Sequence, residues 1–402
     1  MRVLIAAGGV VLAGALIFTV ATVAAPPQQS AATRTTETLQ SRLQRLPGDY
    51  RGWARLATEH LEQARITGNP AFYPKAEQAL IKANGLAPQD DAVLTAGAAL
   101  AAARHDFSQA VRLAERAVAA NPYSTTALGV LADARTQLGD HDRAGQAIER
   151  MIALRPGVAS FSRASYAAEL RGDLAGARRH LEYALADAYQ PADVAYCRFY
   201  LGELALRSGE LAQAQQWYGQ ALQAMPSFTP AIAGQARAHA LSGDLKAALP
   251  LYESVVGRLP LPQYLVEYGE VRIKAGLAPD WTLLRAQQRL ATESGVLDDL
   301  TLAEFEADHG DPALAVRHAR AEFGRNPNPV AADALAWALH RAGRSREALP
   351  YAKQATATGW RNALLHHHRA EIEQALGLRG TSLARTYNPT FDPALPALAR
   401  FS

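Results

Sequence analysis

The chain has 402 residues, 49% of them apolar and 20% charged, and its 41 basic and 38 acidic residues leave a formal net charge of only +3. So small an excess gives no field of the kind that draws a protein onto nucleic acid. A single cysteine, Cys197, excludes an intrachain disulfide.

Near its start the chain has a single charge, Arg2, followed by an apolar run of 23 residues, 3–25. A secretory signal has an apolar core of about 7–15 residues, whereas a membrane-crossing helix needs about 20. Pro26 directly after Ala25 obstructs cleavage at that point. Residues 1–25 are therefore read as a signal-anchor, with a cleaved signal peptide and secretion as the alternative. Either way the rest of the chain is expected outside the cytoplasm, tied to a membrane if the run is retained. Residues 26–49 form a linker and lead-in whose first part is rich in Ser, Thr, Gln, Ala and Pro.

From Tyr50 the chain repeats itself. Units begin at Tyr50, Asp91, Thr125, Val158, Ala195, Thr229, Pro262, Val296, Pro329 and Ala363, and from Asp91 onward they are 33 to 37 residues apart. The eighth position is always small, from Ala57 and Ala98 to Ala336 and Ala370. The twentieth is small in every unit except the seventh, which has Trp281. Small residues at one point on each of two helices let the backbones approach closely. Glycine at the fifteenth position, for example Gly172 and Gly209, suits the left-handed residue that ends a helix. Asp140, Asp173, Glu210, Asp244 and Asp311 follow such glycines and stand where a second helix would need a cap. Proline near the thirty-second position (Pro88, Pro122, Pro156, Pro226, Pro260, Pro327) stops that second helix.

Alternating small residues, glycine and proline at these phases closely resemble the tetratricopeptide repeat, over residues 50–389. The resemblance implies an all-α fold: a right-handed α-α superhelix of about ten helical hairpins, here preceded by the N-terminal apolar helix. Each hairpin buries an apolar face against its neighbours, so the array forms one elongated body.

Four places depart from the pattern. The first unit carries an insertion within ITGNPAFYPK, expected to project from the turn edge. The Val158 unit is three residues longer, through DAYQPADV. The Pro262 unit has Ala278-Pro279-Asp280 before Trp281, which predicts a shifted start of its second helix and a bend in the superhelix. The last unit is short after Gly377, and the tail, 390–402, is expected to cover the exposed end of the stack.

No segment fits a phosphate-cradling loop, a zinc-protease histidine pair or a nucleophile elbow. No enzyme activity, cofactor or metal is therefore expected. His366-His367-His368 is a local oddity, with His340 on the preceding first helix. Consecutive helical residues splay by about 100°, which makes such a triplet a poor chelator by itself. A metal-handling accessory role for this cluster is the alternative functional reading. Cys197 lies in an amphipathic stretch, VAYCRFYLGELAL, and is expected to be buried or half-buried.

The resemblance implies that first helices line a concave face that holds a peptide or partner protein. The polar residues at the ninth position of those helices are then the partner-binding candidates: Asp133, Tyr166, Glu203, Arg237, Glu270, Glu304 and Trp337. The expected function is a non-enzymatic interaction scaffold of the cell envelope, with a protein or peptide as partner and no nucleic acid.

Overall fold

The computed structural model describes residues 38–380 and 382–400. These contain twenty-two helices and no strand. The apolar run at residues 3–25 lies outside them, and no helix of the described residues is long and apolar enough to cross a membrane.

A short lead-in helix, α1 (Leu39–Arg45), buries Leu43 against the first hairpin, α2 (Tyr50–Thr67) and α3 (Phe72–Leu86). Four more hairpins follow: α4 (Asp91–Ala103) with α5 (Phe107–Ala120), α6 (Thr125–Gln137) with α7 (His141–Leu154), α8 (Val158–Glu169) with α9 (Leu174–Asp187), and α10 (Pro191–Arg207) with α11 (Leu211–Ala224). The next pairs are α12 (Thr229–Leu241) with α13 (Leu245–Arg258) and α14 (Pro262–Lys274) with α15 (Thr282–Glu293). Then come α16 (Asp299–His309) with α17 (Pro312–Arg325) and α18 (Pro329–Arg341) with α19 (Ser345–Ala355). The last first helix is α20 (Ala363–Ala375), followed by two short pieces, α21 (Ala384–Tyr387) and α22 (Pro396–Arg400). From α2 to α18 each first helix packs on its own second helix and on the next repeat, as nearest-neighbour stacking requires.

The small residues sit where the helices touch. Ala57, Ala98, Ala236, Ala303 and Ala336 on first helices, and Ala76, Ala110, Ala177, Ala214, Ala248, Ala315 and Ala348 on second helices, are fully buried. The turn inside most hairpins takes a positive φ, supplied for instance by Gly172 at 77° and Gly209 at 75°. In the second repeat His105 adopts φ 62° and does the same work without a glycine. Gly310 does not: its φ is −135°, and the helix end there is satisfied by the Glu306 carboxylate accepting from the Asp311 amide at 2.8 Å. Asp140, Asp173, Asp244 and Asp311 cap the following helices through their side chains, whereas Glu210 makes no such bond.

The irregular units resolve as follows. The insertion of the first repeat lengthens α2 by about a turn and brings Gly68 against Leu259 and Leu261, so it docks on the body instead of projecting. In the seventh repeat the second helix starts at Thr282, six residues after Gly276, where α13 starts two residues after Gly243. Trp281 thus stands before the helix as its N-cap residue. In the tenth unit Ser382 is exposed, because no full second helix forms.

One feature of the fold has no local signature. The chain returns onto itself after roughly five and a half hairpins, so hairpin turns of the first half meet inter-repeat linkers of the second. The Arg104 side chain donates to the Ser294 carbonyl at 3.0 Å, and the Leu297 amide donates to the Arg104 carbonyl at 2.9 Å. Asn328 Nδ2 donates to the Gln137 carbonyl at 2.7 Å, 191 residues away. Gly172 lies against the backbone of Gly359, and Asn388 Nδ2 reaches the Leu206 carbonyl at 3.3 Å. These contacts fasten successive superhelical turns into a closed seam.

Asn328 serves the seam and its own helix at once, since its Oδ1 caps α18 by accepting from the Ala331 amide at 2.9 Å. Asn328→Ala should therefore lose a cap and strand a part-buried carbonyl, about 2 kcal/mol together. A lowered urea midpoint would register it; an unchanged midpoint would mean that the seam contributes nothing to stability.

Candidate functional site

The ninth-position residues do not form a solvent-facing stripe. Glu203, Arg237 and Glu270 are each 1% exposed, and Asp133 is 5% exposed. A charge taken out of water at such cost must find a partner, and here the partner comes from the next first helix. Arg163 on α8 makes a two-pronged pair with Asp133 on α6, at 2.8 and 2.7 Å. Arg207 on α10 pairs with Glu169 on α8 at 2.8 Å. Arg237 on α12 stands between Glu203 on α10, at 2.9 Å, and Glu267 on α14, at 3.0 Å. Both glutamates also accept from tyrosines of second helices, Tyr218 at 2.7 Å and Tyr252 at 2.9 Å.

The ladder continues with altered chemistry. Glu270 on α14 pairs with His309 on α16 at 2.9 Å, Trp337 Nε1 on α18 donates to Asp308 on α16 at 2.8 Å, and His368 on α20 meets Asp333 on α18 at 2.8 Å. Polar links thus tie first helices together from α6 to α20. Tyr166, by contrast, is half-buried and packs beside Leu170, Trp360 and Leu365, at the seam. Asp133, Glu203, Arg237, Glu270 and Trp337 are thus committed to inter-repeat links, and Glu270 and Glu304 also border a further element.

That element is the tail. Its start covers the last helix, where Phe391 is buried with Ala363 and Leu364 of α20, but the rest leaves the end of the stack. Residues 388–400 run back across the face made by α12, α14 and α16 and rest on α20 as well. Leu395 and Leu398 are fully buried among Ala236, Ala240, Tyr252 and Val271. Ala397 packs with Leu265, Val266, Leu284 and Phe305, and its amide donates to Glu270 Oε2 at 2.9 Å. Lys274 pairs with Asp392. Arg400 is buried, bonds Asp308 directly, donates to the Glu304 carbonyl at 3.3 Å and has the Glu304 carboxylate at 3.6 Å.

Electrostatics follow from that crowding. Burial pushes Glu304 up to about 7 against the pull of Arg400, and raises Glu270 against the His309 hydrogen bond and, behind it, Arg400. Burial also pushes on Asp308, but Arg400 and the Trp337 N–H outweigh it and hold that carboxyl below its usual value.

The histidine triplet does not converge. His366 meets the edge of Tyr387, His367 packs on Phe391, and His368 stacks on Trp337 at 4.0 Å while bonding Asp333. Burial lowers the pKa of His340, His366 and His367, as expected of rings packed against neighbours. No group of three or more His, Cys, Asp or Glu able to hold a metal occurs among the described residues. The metal-handling alternative therefore lacks the geometry it needs. Cys197 is buried, and burial pushes its thiol well up, which makes it unreactive.

The sequence singled out the acidic ninth positions but not Arg163, Arg207, Glu267 or Arg400. The available signal was a charged residue inside an alanine-rich first helix about one repeat after an opposite charge, as with Asp133 and Arg163 or Glu203 and Arg237.

Residues 101–164 match the family model described as Tetratricopeptide repeat. No curated protein matches the chain. Among solved structures, a thermophilic tetratricopeptide-repeat protein of Thermus thermophilus is 21% identical, covering 47% of this chain and 98% of its own, with a TM-score of 0.42. A tetratricopeptide repeat protein from Parabacteroides merdae is 15% identical over 62% of this chain and 96% of its own, TM-score 0.43. PilW, a type IV pilus biogenesis factor, is 19% identical over 56% of this chain and 96% of its own, TM-score 0.40.

Proposed function

We propose that this array of helical hairpins is a non-catalytic scaffold that holds a segment of a partner protein on the face formed by α12, α14 and α16. A single observation carries the reading. That face already grips a chain segment outside the repeats, through two buried leucines, a backbone amide and a buried arginine. Peptides bound by helical arrays are held in this way, by apolar anchors with a few placed polar contacts. The charged pairs elsewhere on the first helices are inter-helix fasteners, which supports a structural role for them in place of a chemical one. Residues 3–25 would carry the scaffold at the cell envelope.

Photo-crosslinking in intact cells tests both parts. A photoreactive side chain in place of Lys274, beside the gripped segment, should trap a distinct protein that fractionates with membranes. The same group in place of Arg112, on the exposed flank of α5, should not. Equal trapping at both positions, or none at Lys274, would remove the proposed face. Recovery of the chain in the soluble cytoplasmic fraction would remove the envelope assignment.

A further inference from the structure

The tail supplies something that the repeats lack at this point of the ladder. Between α6 and α14 each buried carboxylate of the ladder pairs with an arginine of an adjacent first helix. At α14 and α16 three acidic side chains, Glu270, Glu304 and Asp308, converge, and the arginine that faces them is Arg400, from outside the repeats. Without the tail, these carboxylates and the apolar floor of Ala236, Ala240, Val271 and Phe305 would form an open acidic and greasy groove. The tail follows α21, which packs on α20, and its start is held there by Phe391, buried with Ala363 and Leu364, whereas its Arg400 end is seated at α16.

We propose that residues 390–400 are an intramolecular stand-in for the partner segment: the α12–α16 groove takes a chain with an arginine preceded by leucines at its second and fifth residues back, and the tail competes with it. This rests on the scaffold reading above and names the partner's chemistry: apolar and extended or weakly helical, with one guanidinium aimed at Asp308 and Glu304. A tethered segment faces its own groove at an effective concentration on the order of millimolar. An incoming segment must therefore bind more tightly than the tail or be presented at several points, which makes the scaffold closed by default.

The probe is a fluorescent synthetic peptide of residues 390–402, TFDPALPALARFS, titrated by anisotropy. Against full-length Arg400→Glu, whose own tail loses its anchor, it should bind at least tenfold more tightly than against the unaltered chain. The same peptide carrying R400E should not bind either protein. Equal affinity for both chains, or no binding to the variant while its helical circular dichroism and melting are intact, would overturn the proposal. A second arm uses the unaltered chain, so that misfolding of the variant cannot decide the result. Saturating peptide should raise hydrogen exchange of the Ala397 amide at least tenfold, leaving α4 and α5 protected. Protection at Ala397 that survives saturation would also overturn it. Trapping at Lys274 without any tail displacement would leave the scaffold standing and remove only the stand-in; displacement without trapping would do the reverse.

Discussion

Replacing Arg237 with methionine is expected to destabilise the protein by about 3–5 kcal/mol, the cost of stranding buried charge when one member of a network is removed. The guanidinium is 1% exposed and separates two carboxylates, Glu203 and Glu267, which are 1% and 0% exposed. Methionine fills most of the volume, so lost packing is a minor part of the effect. The pH dependence identifies the cause. Burial raises the Glu267 carboxyl above its ordinary value while Arg237 pulls it down; the variant keeps the burial and loses the pull. A carboxyl whose folded pKa exceeds its unfolded one holds protons more tightly when folded. Its contribution therefore grows as pH falls from the folded pKa toward the unfolded one, and is lost as pH rises. The deficit of the variant relative to the parent should be largest above the raised folded pKa of Glu267 and shrink as pH falls toward the ordinary carboxylate value. Adding Glu203→Gln and Glu267→Gln should recover most of the loss at neutral pH, because each amide can still accept from Tyr218 or Tyr252. A deficit that ignores both pH and the glutamine pair would mean that the arginine matters through its shape and not its charge.

That triad also marks where sequence reasoning stops. The unit starts at Tyr50, Asp91, Thr125, Val158, Thr229, Pro262, Pro329 and Ala363 coincide with the first residues of α2, α4, α6, α8, α12, α14, α18 and α20. They are legible because each hairpin is specified by its own short-range chemistry: small residues at the contact, a positive-φ turn, a proline stop. Arg237 is legible as an interruption in an acidic stripe, but its role is not. Whether a polar residue on a first helix meets water or another helix depends on how the neighbouring repeats and the tail fill the inner face, and no local pattern encodes that. The seam is further removed still. Gln137 meets Asn328 across 191 residues because of superhelical pitch, a property summed over many small inter-repeat rotations. The tail, with Pro389, Pro393 and Pro396 and only a five-residue helix, is too short to show a periodicity. Its place on α12–α16 is fixed by Arg400 finding an acidic cluster that the ladder leaves without an arginine of its own.

The Trp281 repeat should show the other large effect, through a size exchange with Gly269. In most units two small residues face each other; here the indole fills the space that a side chain on Gly269 would need. Its ring packs edge-on to Phe305 at 5.1 Å and tilts against His309 at 5.3 Å, so it also supports the helix that carries Asp308. Trp281→Ala should cost about 3 kcal/mol, at the low end for a buried aromatic because the ring is only half-buried. Gly269→Ala alone should cost about 1–3 kcal/mol, since the ring must move, even though alanine is the better helix former by about 1 kcal/mol. The two changes together restore the small-against-small arrangement of the other repeats. The double variant should therefore be more stable than the sum of the single losses predicts, by at least about 1 kcal/mol in a thermodynamic cycle. Strict additivity would mean that the indole and the glycine are not exchanging volume. The irregular start of α15 would then owe nothing to the tryptophan, and Pro279 would have to account for it alone.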